Sequence, residues 1–339
     1  MEWRHAARSH GRRPLGAISV RLKVKALLSG LATYLPGYPA MRATGGTDSA
    51  RYCYSVWLRH LSLARASGCM SSMPRHVAEL GPGDSIGIGL AALLSGVDTY
   101  FALDVVRYSG LRTNLAIFDE LVELYRQRAP IPGDAELPFV NPKLQSYEFP
   151  HALLDDDWLK NSLDPARIAD IRASVAQADP EHSCIRYQSP WTDPSVVRAE
   201  SVDMIYSQAV LEHVTDIASV YRSMHRWLKH SGFVSHQIDY RCHGKADTWN
   251  GHWTYSDTAW TVVVGRRPYL LNREPHSQHL RLLRETGFSV ISETLQRAPS
   301  TLRRQQLAAR FRGLSEDDLT TCGAHIVAVV APRESAAHE

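Results

Sequence analysis

Arg75-His76-Val77-Ala78-Glu79-Leu80-Gly81-Pro82-Gly83-Asp84-Ser85-Ile86-Gly87, followed at once by Ile88-Gly89-Leu90-Ala91-Ala92-Leu93-Leu94, is the stretch whose reading decides the fold. Its opening residues form an apolar run of the length of a buried strand, residues 81–87 are punctuated by glycine, and the Ala- and Leu-rich run beyond has a helix composition. Glycine has no side chain to obstruct approach, so a strand, glycine turn and helix in this order can bring backbone amides and the positive end of a helix close to a ligand. A second apolar run, Thr99-Tyr100-Phe101-Ala102-Leu103, ends on Asp104 and closes a β-α-β unit of the length that a parallel sheet requires.

Working outward, residues 105–183 read as an insertion with a charged helix near 114–128, a proline-rich passage over 130–150 and a second helix near 165–177. Residues 184–187, 202–207 and 232–238 are the next three strands. A passage rich in Trp, His and Arg occupies about 239–276. Ser277 then caps a helix through Leu280, Leu282 and Leu283 that stops at Gly287, and strands at 288–292 and 324–330 complete the chain. This order predicts an α/β protein with a doubly wound, Rossmann-like seven-stranded sheet, a helical N-terminal extension and insertions. The bend after Met73 and Pro74 divides a basic, partly helical extension, 1–74, from a domain over 75–339 with insertions at about 105–183 and 239–276.

A chain of 339 residues with 44% hydrophobic and 22% charged residues can bury a large core, which excludes disordered and fibrous classes. The net charge of +3 is too weak to imply nucleic acid, but it is unevenly placed. Between Glu2 and Asp48 there is no acidic residue, while Arg4, Arg8, Arg12, Arg13, Arg21, Lys23, Lys25 and Arg42 are basic. Such a segment reads as a transit peptide, a weak membrane-surface contact or a solvated arm. Val20, Val24, Leu27, Leu28, Leu31 and Leu35 recur at helical spacing, which suits a helix lying on a membrane or packing on the main domain, while the alternation over 18–25 also fits a strand. No run is long and apolar enough to cross a bilayer. The five cysteines are scattered, which excludes a disulfide framework or a zinc ribbon and points to a cytoplasmic protein, with peripheral membrane contact as the alternative.

The segment Glu79, Leu80, Gly81, Pro82, Gly83 resembles motif I of class I S-adenosylmethionine (SAM)-dependent methyltransferases of the type 11 kind. Asp104, twenty-one residues after Gly83, stands where that family places the carboxylate for both ribose hydroxyls, and residues 202–214, including Leu211, Glu212 and His213, resemble its fourth-strand motif. The resemblance covers residues 75–238 and implies SAM as cofactor, held by Glu79, Gly81, Gly83, Asp104, Gln188 and Ser207. Where the family often carries an acid for the adenine amino group this chain has Gln188, Ser189, Pro190 and Trp191. The Gln188 amide oxygen and the Trp191 ring are the replacements expected. A dinucleotide fingerprint would need glycine at position 86, where Ile86 stands, so a nicotinamide-dependent oxidoreductase is the alternative enzyme and a non-enzymatic module on the same fold a third reading.

Methyl transfer to oxygen, or less readily nitrogen, needs alignment and one general base. His213, His236 and Asp239, at the ends of the fourth and fifth strands, are the catalytic candidates. The acceptor expected is a small molecule or a glycan precursor. The glycan part rests on Trp249, Trp253, Trp260, Arg266, Arg267 and Tyr269, a composition that equally suits a segment packing its own small core. No metal is expected, because His236, Asp239 and His243 match no ligand spacing. Residues 45–54 either fold over the cofactor or lead into a packed helix through Trp57, Leu58, Leu61 and Leu63.

Overall fold

The computed structural model describes residues 20–38, 46–176, 183–191, 193–267 and 269–332. The helices are α1 (Val20–Ala32), α2 (Ala50–Ala66), α3 (Gly87–Leu94), α4 (Leu111–Arg126), α5 (Asp156–Ser162), α6 (Pro165–Ala176), α7 (Ile217–Trp227), α8 (Asp257–Val264), α9 (His276–Glu285) and α10 (Glu316–Thr320). The strands are β1 (His76–Leu80), β2 (Thr99–Leu103), β3 (Ile185–Gln188), β4 (Val202–Gln208), β5 (Leu228–Asp239), β6 (Phe288–Arg297) and β7 (Thr321–Val330). They form one seven-stranded sheet in the order β3-β2-β1-β4-β5-β7-β6. β1 to β5 are parallel, and β7 inserts antiparallel between β5 and β6. The seven-stranded α/β architecture expected from the sequence is the one observed. Strand order reverses at β1, which has β2 on one side and β4 on the other, so the crevice at the C-terminal ends of these strands is the place where this topology binds ligands.

Side-chain alternation divides the sheet's apolar residues between two cores. Val77, Tyr100, Met204, Tyr206 and Phe233 pack with α2, α3 and α4. Ala78, Leu80, Ile205, Val234 and Ile326 pack with α7 and α9 through Tyr221, Trp227 and Leu283. The helix expected near 114–128 is α4, whose Ile117, Phe118, Leu121 and Tyr125 belong to the first core. β5 begins at Leu228, ahead of residue 232, because α7 runs directly into it and Leu228 pairs with Val202 before the register shift at Met204.

α2 lies in the same core as β1 and α3, with Tyr54, Trp57, Leu58 and Leu61 fully buried. It also anchors the proline-rich passage. The buried Arg59 guanidinium donates from Nη1 to Pro142 O (2.6 Å), from Nη2 to Pro132 O (3.0 Å) and from Nε to Ser55 Oγ (2.9 Å). A buried cation is tolerable only with its donors occupied in this way.

α1 is a helix in the structure, and it packs on α8 by backbone contact. A Cβ on Gly30 would stand 1.9 Å from Val262 O, so only glycine fits at this crossing. Thr33 Oγ1 accepts from Arg266 N (2.8 Å) and donates to Gly30 O (2.6 Å), closing the junction. Ala26, Tyr255, Trp260, Val263 and Leu271 make a satellite core here, and Trp253, Leu307, Phe311 and Leu319 make another. No helix among the described residues is long and apolar enough to cross a membrane. All five cysteines are free. Arg4, Arg8, Arg12, Arg13 and Arg42 lie outside the described residues.

Candidate functional site

At the end of β1 the chain turns through Gly81 (φ +66°) and Gly83 (φ +74°), both in the left-handed region that side chains avoid. A Cβ on Gly81 would also stand 2.7 Å from a Val210 methyl group, so the turn is held close against the end of β4. Gly81 N donates to Leu103 O (2.8 Å), tying the turn to β2. Asp104, which follows β2, accepts from Gly83 N at Oδ2 (3.2 Å) and from Val105 N at Oδ1 (2.7 Å). Burial raises its pKa, and these backbone donors oppose the rise. A carboxylate has about four acceptor positions, so Asp104 keeps capacity for the vicinal hydroxyls of a ribose. The donor set and the glycine cradle thus fit an adenosyl ligand.

Two further segments frame this turn. Thr47 lies against it, with Ser85 N donating to Thr47 Oγ1 (3.0 Å) and Ser85 Oγ to Thr47 O, so the segment ahead of α2 covers the turn and also leads into a packed helix. Gln188, exposed at the end of β3, accepts Asp104 N at its carbonyl (3.0 Å), and its Nε2 donates to Pro190 O (3.0 Å), which leaves Oε1 as the acceptor end of the amide. The Trp191 ring packs edge-on against Trp227, 5.4 Å between centroids.

Three of the expected residues lie deeper. Glu79 Oε2 accepts from Tyr100 Oη (2.5 Å) and Tyr206 Oη (3.0 Å), and burial pushes its carboxyl up to about 8. It braces β2 and β4 from within the sheet layer. Ser207 Oγ and His236 Nδ1 are 2.8 Å apart on the opposite core, both fully buried. Burial, then the charges of His60 and His279, push His236 down to about 3, and its Nε2 has no partner in the protein.

His213 and Asp239 stand at the C-terminal edge. His213 closes the short turn Leu211–His213 after β4, and its Nδ1 donates to Tyr269 O (2.9 Å). A carbonyl can only accept, so the proton sits on Nδ1 and Nε2 carries the lone pair. Burial, then the neighbouring His243, hold His213 down at about 4. The turn is fastened by Asn272, whose N donates to Glu212 O (2.8 Å) and whose Nδ2 donates to Leu211 O (2.7 Å) and Val214 O (2.9 Å). Asp239 is committed to Arg241, accepting from Nε (2.8 Å) and Nη2 (2.6 Å), and His243 Nε2 lies 3.3 Å away. Burial alone would raise the Asp239 carboxyl, but the His243 and Arg241 contacts outweigh it and hold it far below the usual range. His236 and Asp239 do not converge. His213, His243 and Asp239 do, the two imidazole rings being 5.4 Å apart.

Sequence reasoning missed Glu212, which is buried with neither carboxyl oxygen partnered in the protein, and whose pKa burial raises strongly. Its place beside His213 in the fourth-strand motif was the available signal. A polar chain beneath the site also went unread. Gln208 Nε2 donates to Asn141 O (2.9 Å), and Gln208 Oε1 accepts from His60 Nε2 (3.2 Å). His60 Nδ1 and Ser235 Oγ are 2.7 Å apart, and Ser235 Oγ and His325 Nε2 are 2.9 Å apart. Among the described residues no group of three His, Cys, Asp or Glu side chains is arranged to hold a metal ion. Of the aromatic residues that suggested a glycan, Trp253 and Trp260 are core, with the Arg273 guanidinium over Trp260 at 4.9 Å, while Trp249 and Tyr269 are partly buried.

Residues 162–235 match the family model of a methyltransferase domain, a span that takes in β3, β4 and the His213 turn and begins after the glycine turn. No curated protein matches the chain. Among solved structures it is similar to a SAM-dependent methyltransferase from Mesorhizobium loti, at 14% identity over 84% of this chain and 100% of that one, with a TM-score of 0.39. It is also similar to a phosphoethanolamine N-methyltransferase of Haemonchus contortus, at 14% identity over 88% of this chain and 62% of that one, TM-score 0.41. A putative methyltransferase of Bacillus halodurans shows 12% identity over 82% of this chain and 100% of that one, TM-score 0.41. Identities of this size give no residue-by-residue correspondence. The segment that matches the methyltransferase-domain model thus lies on β3 to β5 of a seven-stranded sheet in which β7 runs antiparallel between β5 and β6.

Proposed function

We propose that this enzyme transfers the methyl group of SAM to an oxygen, or less readily a nitrogen, of a small molecule bound at the C-terminal ends of β4 and β5, with His213 accepting the acceptor's proton. The observation that supports this reading is the double engagement of Tyr269. Its carbonyl fixes His213, and its phenol lies near enough to Asp104 that, after burial, the Asp104 charge raises its pKa. The close approach of Gly81 to Val210, which leads into the Leu211–His213 turn, supports reading the carboxylate suited to ribose and the imidazole suited to proton acceptance as neighbours at one mouth. Tyr108, raised by burial and then by Tyr269 and Asp104, lines the same place.

Bound SAM would supply an electrophilic methyl group on a sulfonium. Gly81, Gly83 and Asp104 would hold its adenosyl part, Gln188 Oε1 would accept from the adenine amino group, and Thr47 would cover the turn. Glu79 and Ser207 support the strands that carry these residues. The Nε2 lone pair of His213 would take the proton that a hydroxyl acceptor must lose, a need that favours oxygen. The burial of Trp253 and Trp260 weakens the support for a glycan and favours a smaller acceptor.

Calorimetric titration of the full chain with SAM, S-adenosylhomocysteine and NAD tests the cofactor assignment. Micromolar binding of the two adenosyl ligands, about −8 kcal/mol, is expected, and Asp104→Ala should remove it while the variant remains folded. Binding of NAD alone, or undiminished SAM affinity in folded Asp104→Ala, would overturn the site.

A further inference from the structure

α1 is apolar on two faces, and the protein covers only one of them. Ala26, Gly30 and Thr33 are buried against α8 and its following loop. On the other face Val24, Leu28 and Leu31, spaced as neighbours along the helix, are 45–60% exposed, and Tyr34, Leu35 and Tyr38 in the turn after α1 extend the strip. A water-facing helix normally turns a polar face outward. Here the outward face is leucine with a cationic fringe. Lys25 and Arg266 are exposed, and the Arg266 guanidinium lies 5.0 Å over the Tyr34 ring. Residues 3–47 contain no carboxylate, and Asp257, which opens α8, is already engaged by Arg273 at 2.6 Å.

We propose that α1 docks this protein on a membrane surface bearing anionic headgroups, with the strip from Val24 to Leu35 entering the interface and Lys25 and Arg266 meeting the lipid phosphates. Charge selects this occupant. A second copy placed on the strip by a two-fold axis would bring the two cationic fringes together, whereas an anionic bilayer is complementary to both the leucines and the cations. Tyrosines at the margin suit the headgroup level, where one end of the ring is apolar and the other wet. The docked helix is coupled to the site, because α1 holds α8 at Gly30 and the chain beyond α8 supplies the Tyr269 carbonyl and Asn272 that fix the His213 turn. Docking at α1 would therefore favour an acceptor that resides in the membrane, a point that deepens the proposed function and stands apart from the cofactor.

Co-sedimentation of the full chain with vesicles tests this, using phosphatidylcholine alone and phosphatidylcholine with about a third phosphatidylglycerol. Binding to the anionic vesicles should be at least about tenfold tighter than to neutral ones and should weaken as salt is raised. The triple variant Leu28→Ser, Leu31→Ser, Leu35→Ser should lose about tenfold in vesicle affinity while retaining the parent's SAM titration and circular dichroism. Absence of vesicle binding by the parent, or equal binding by the folded triple variant, would overturn the proposal. So would a parent that is dimeric in sedimentation velocity, binds no vesicles, and becomes monomeric on the triple substitution, since the strip would then be covered by a second copy. SAM binding is read separately, so failure here leaves the cofactor assignment standing.

Discussion

His213 acts through one nitrogen because a backbone carbonyl has claimed the other. With its pKa held at about 4 the imidazole is neutral across the physiological range, so turnover should stay flat from about pH 6 to 8 and fall only as pH drops towards 4, where protonation removes the Nε2 lone pair. His213→Ala should lower kcat by about 10²–10⁴ with SAM affinity unchanged, whereas His236→Ala should spare turnover of the folded protein and cost about 1–3 kcal/mol in stability, because it strips a partner from buried Ser207. Steady-state kinetics against calorimetry and urea titration separate the two, and a kcat loss confined to His236→Ala would reverse the assignment. The tight turn at Gly81 and Gly83 and its contact with Asp104 were legible in the sequence because all three lie within one β-α-β unit. The difference between His213 and His236 was not. It depends on Tyr269 and Ser207, brought in from other parts of the chain.

Among the elements, β1 to β4 were readable because each is a short run between turn signals, whereas β5, β6 and β7 extend beyond the runs at 232–238, 288–292 and 324–330 with polar residues that pairing, not apolar pattern, holds in the sheet. α5 was not readable, since its seven residues, Asp156–Ser162, carry too few apolar positions to show a period. The aromatic run of 249–269 allowed two readings by composition alone, and only packing distinguishes a stacking surface from a core. α1 and α8 meet backbone to backbone at Gly30. Gly30→Leu drives a side chain into the carbonyls of Val262 and Val263, which α1 cannot relieve by a rotamer change. The expected outcome is detachment of α1, seen as rapid limited proteolysis near residue 38, with the SAM titration of the remaining domain preserved. Unchanged proteolysis would mean that the crossing tolerates a side chain.

The whole molecule is set against acid by its histidines. His60, His213, His236, His252, His279 and His325 are all held below 6.5, chiefly by burial. Each binds a proton more readily when unfolded, so its contribution is present above pH 6.5 and is lost as pH falls through its folded value, near 3 to 4 for His60, His213, His236, His252 and His279. Glu79 runs the other way: its contribution is present below the unfolded value near 4.5 and is lost as pH rises through about 8. Stability should therefore peak near about pH 6.5, decline towards about pH 8 as Glu79 ionises, and drop by several kcal/mol on acidification to about pH 4.5, measurable as a fall in the urea midpoint. An unchanged midpoint at pH 4.5 would show that these imidazoles are open to water.

The chain of contacts beneath the site has a direction. Because Gln208 spends its Nε2 on the Asn141 carbonyl, its oxygen faces His60 and must receive the Nε2 proton there. His60 Nδ1 is then a lone pair, Ser235 must donate to it, and the Ser235 oxygen must in turn receive the proton of His325 Nε2. Every hydrogen in the row points from β7 towards the Asn141 carbonyl, and turning the Gln208 amide over would reverse those between Gln208 and His325 only by setting the Gln208 oxygen against that carbonyl. The loop carbonyl of Asn141 thus decides which nitrogen of an imidazole on β7, in another layer of the protein, carries its hydrogen.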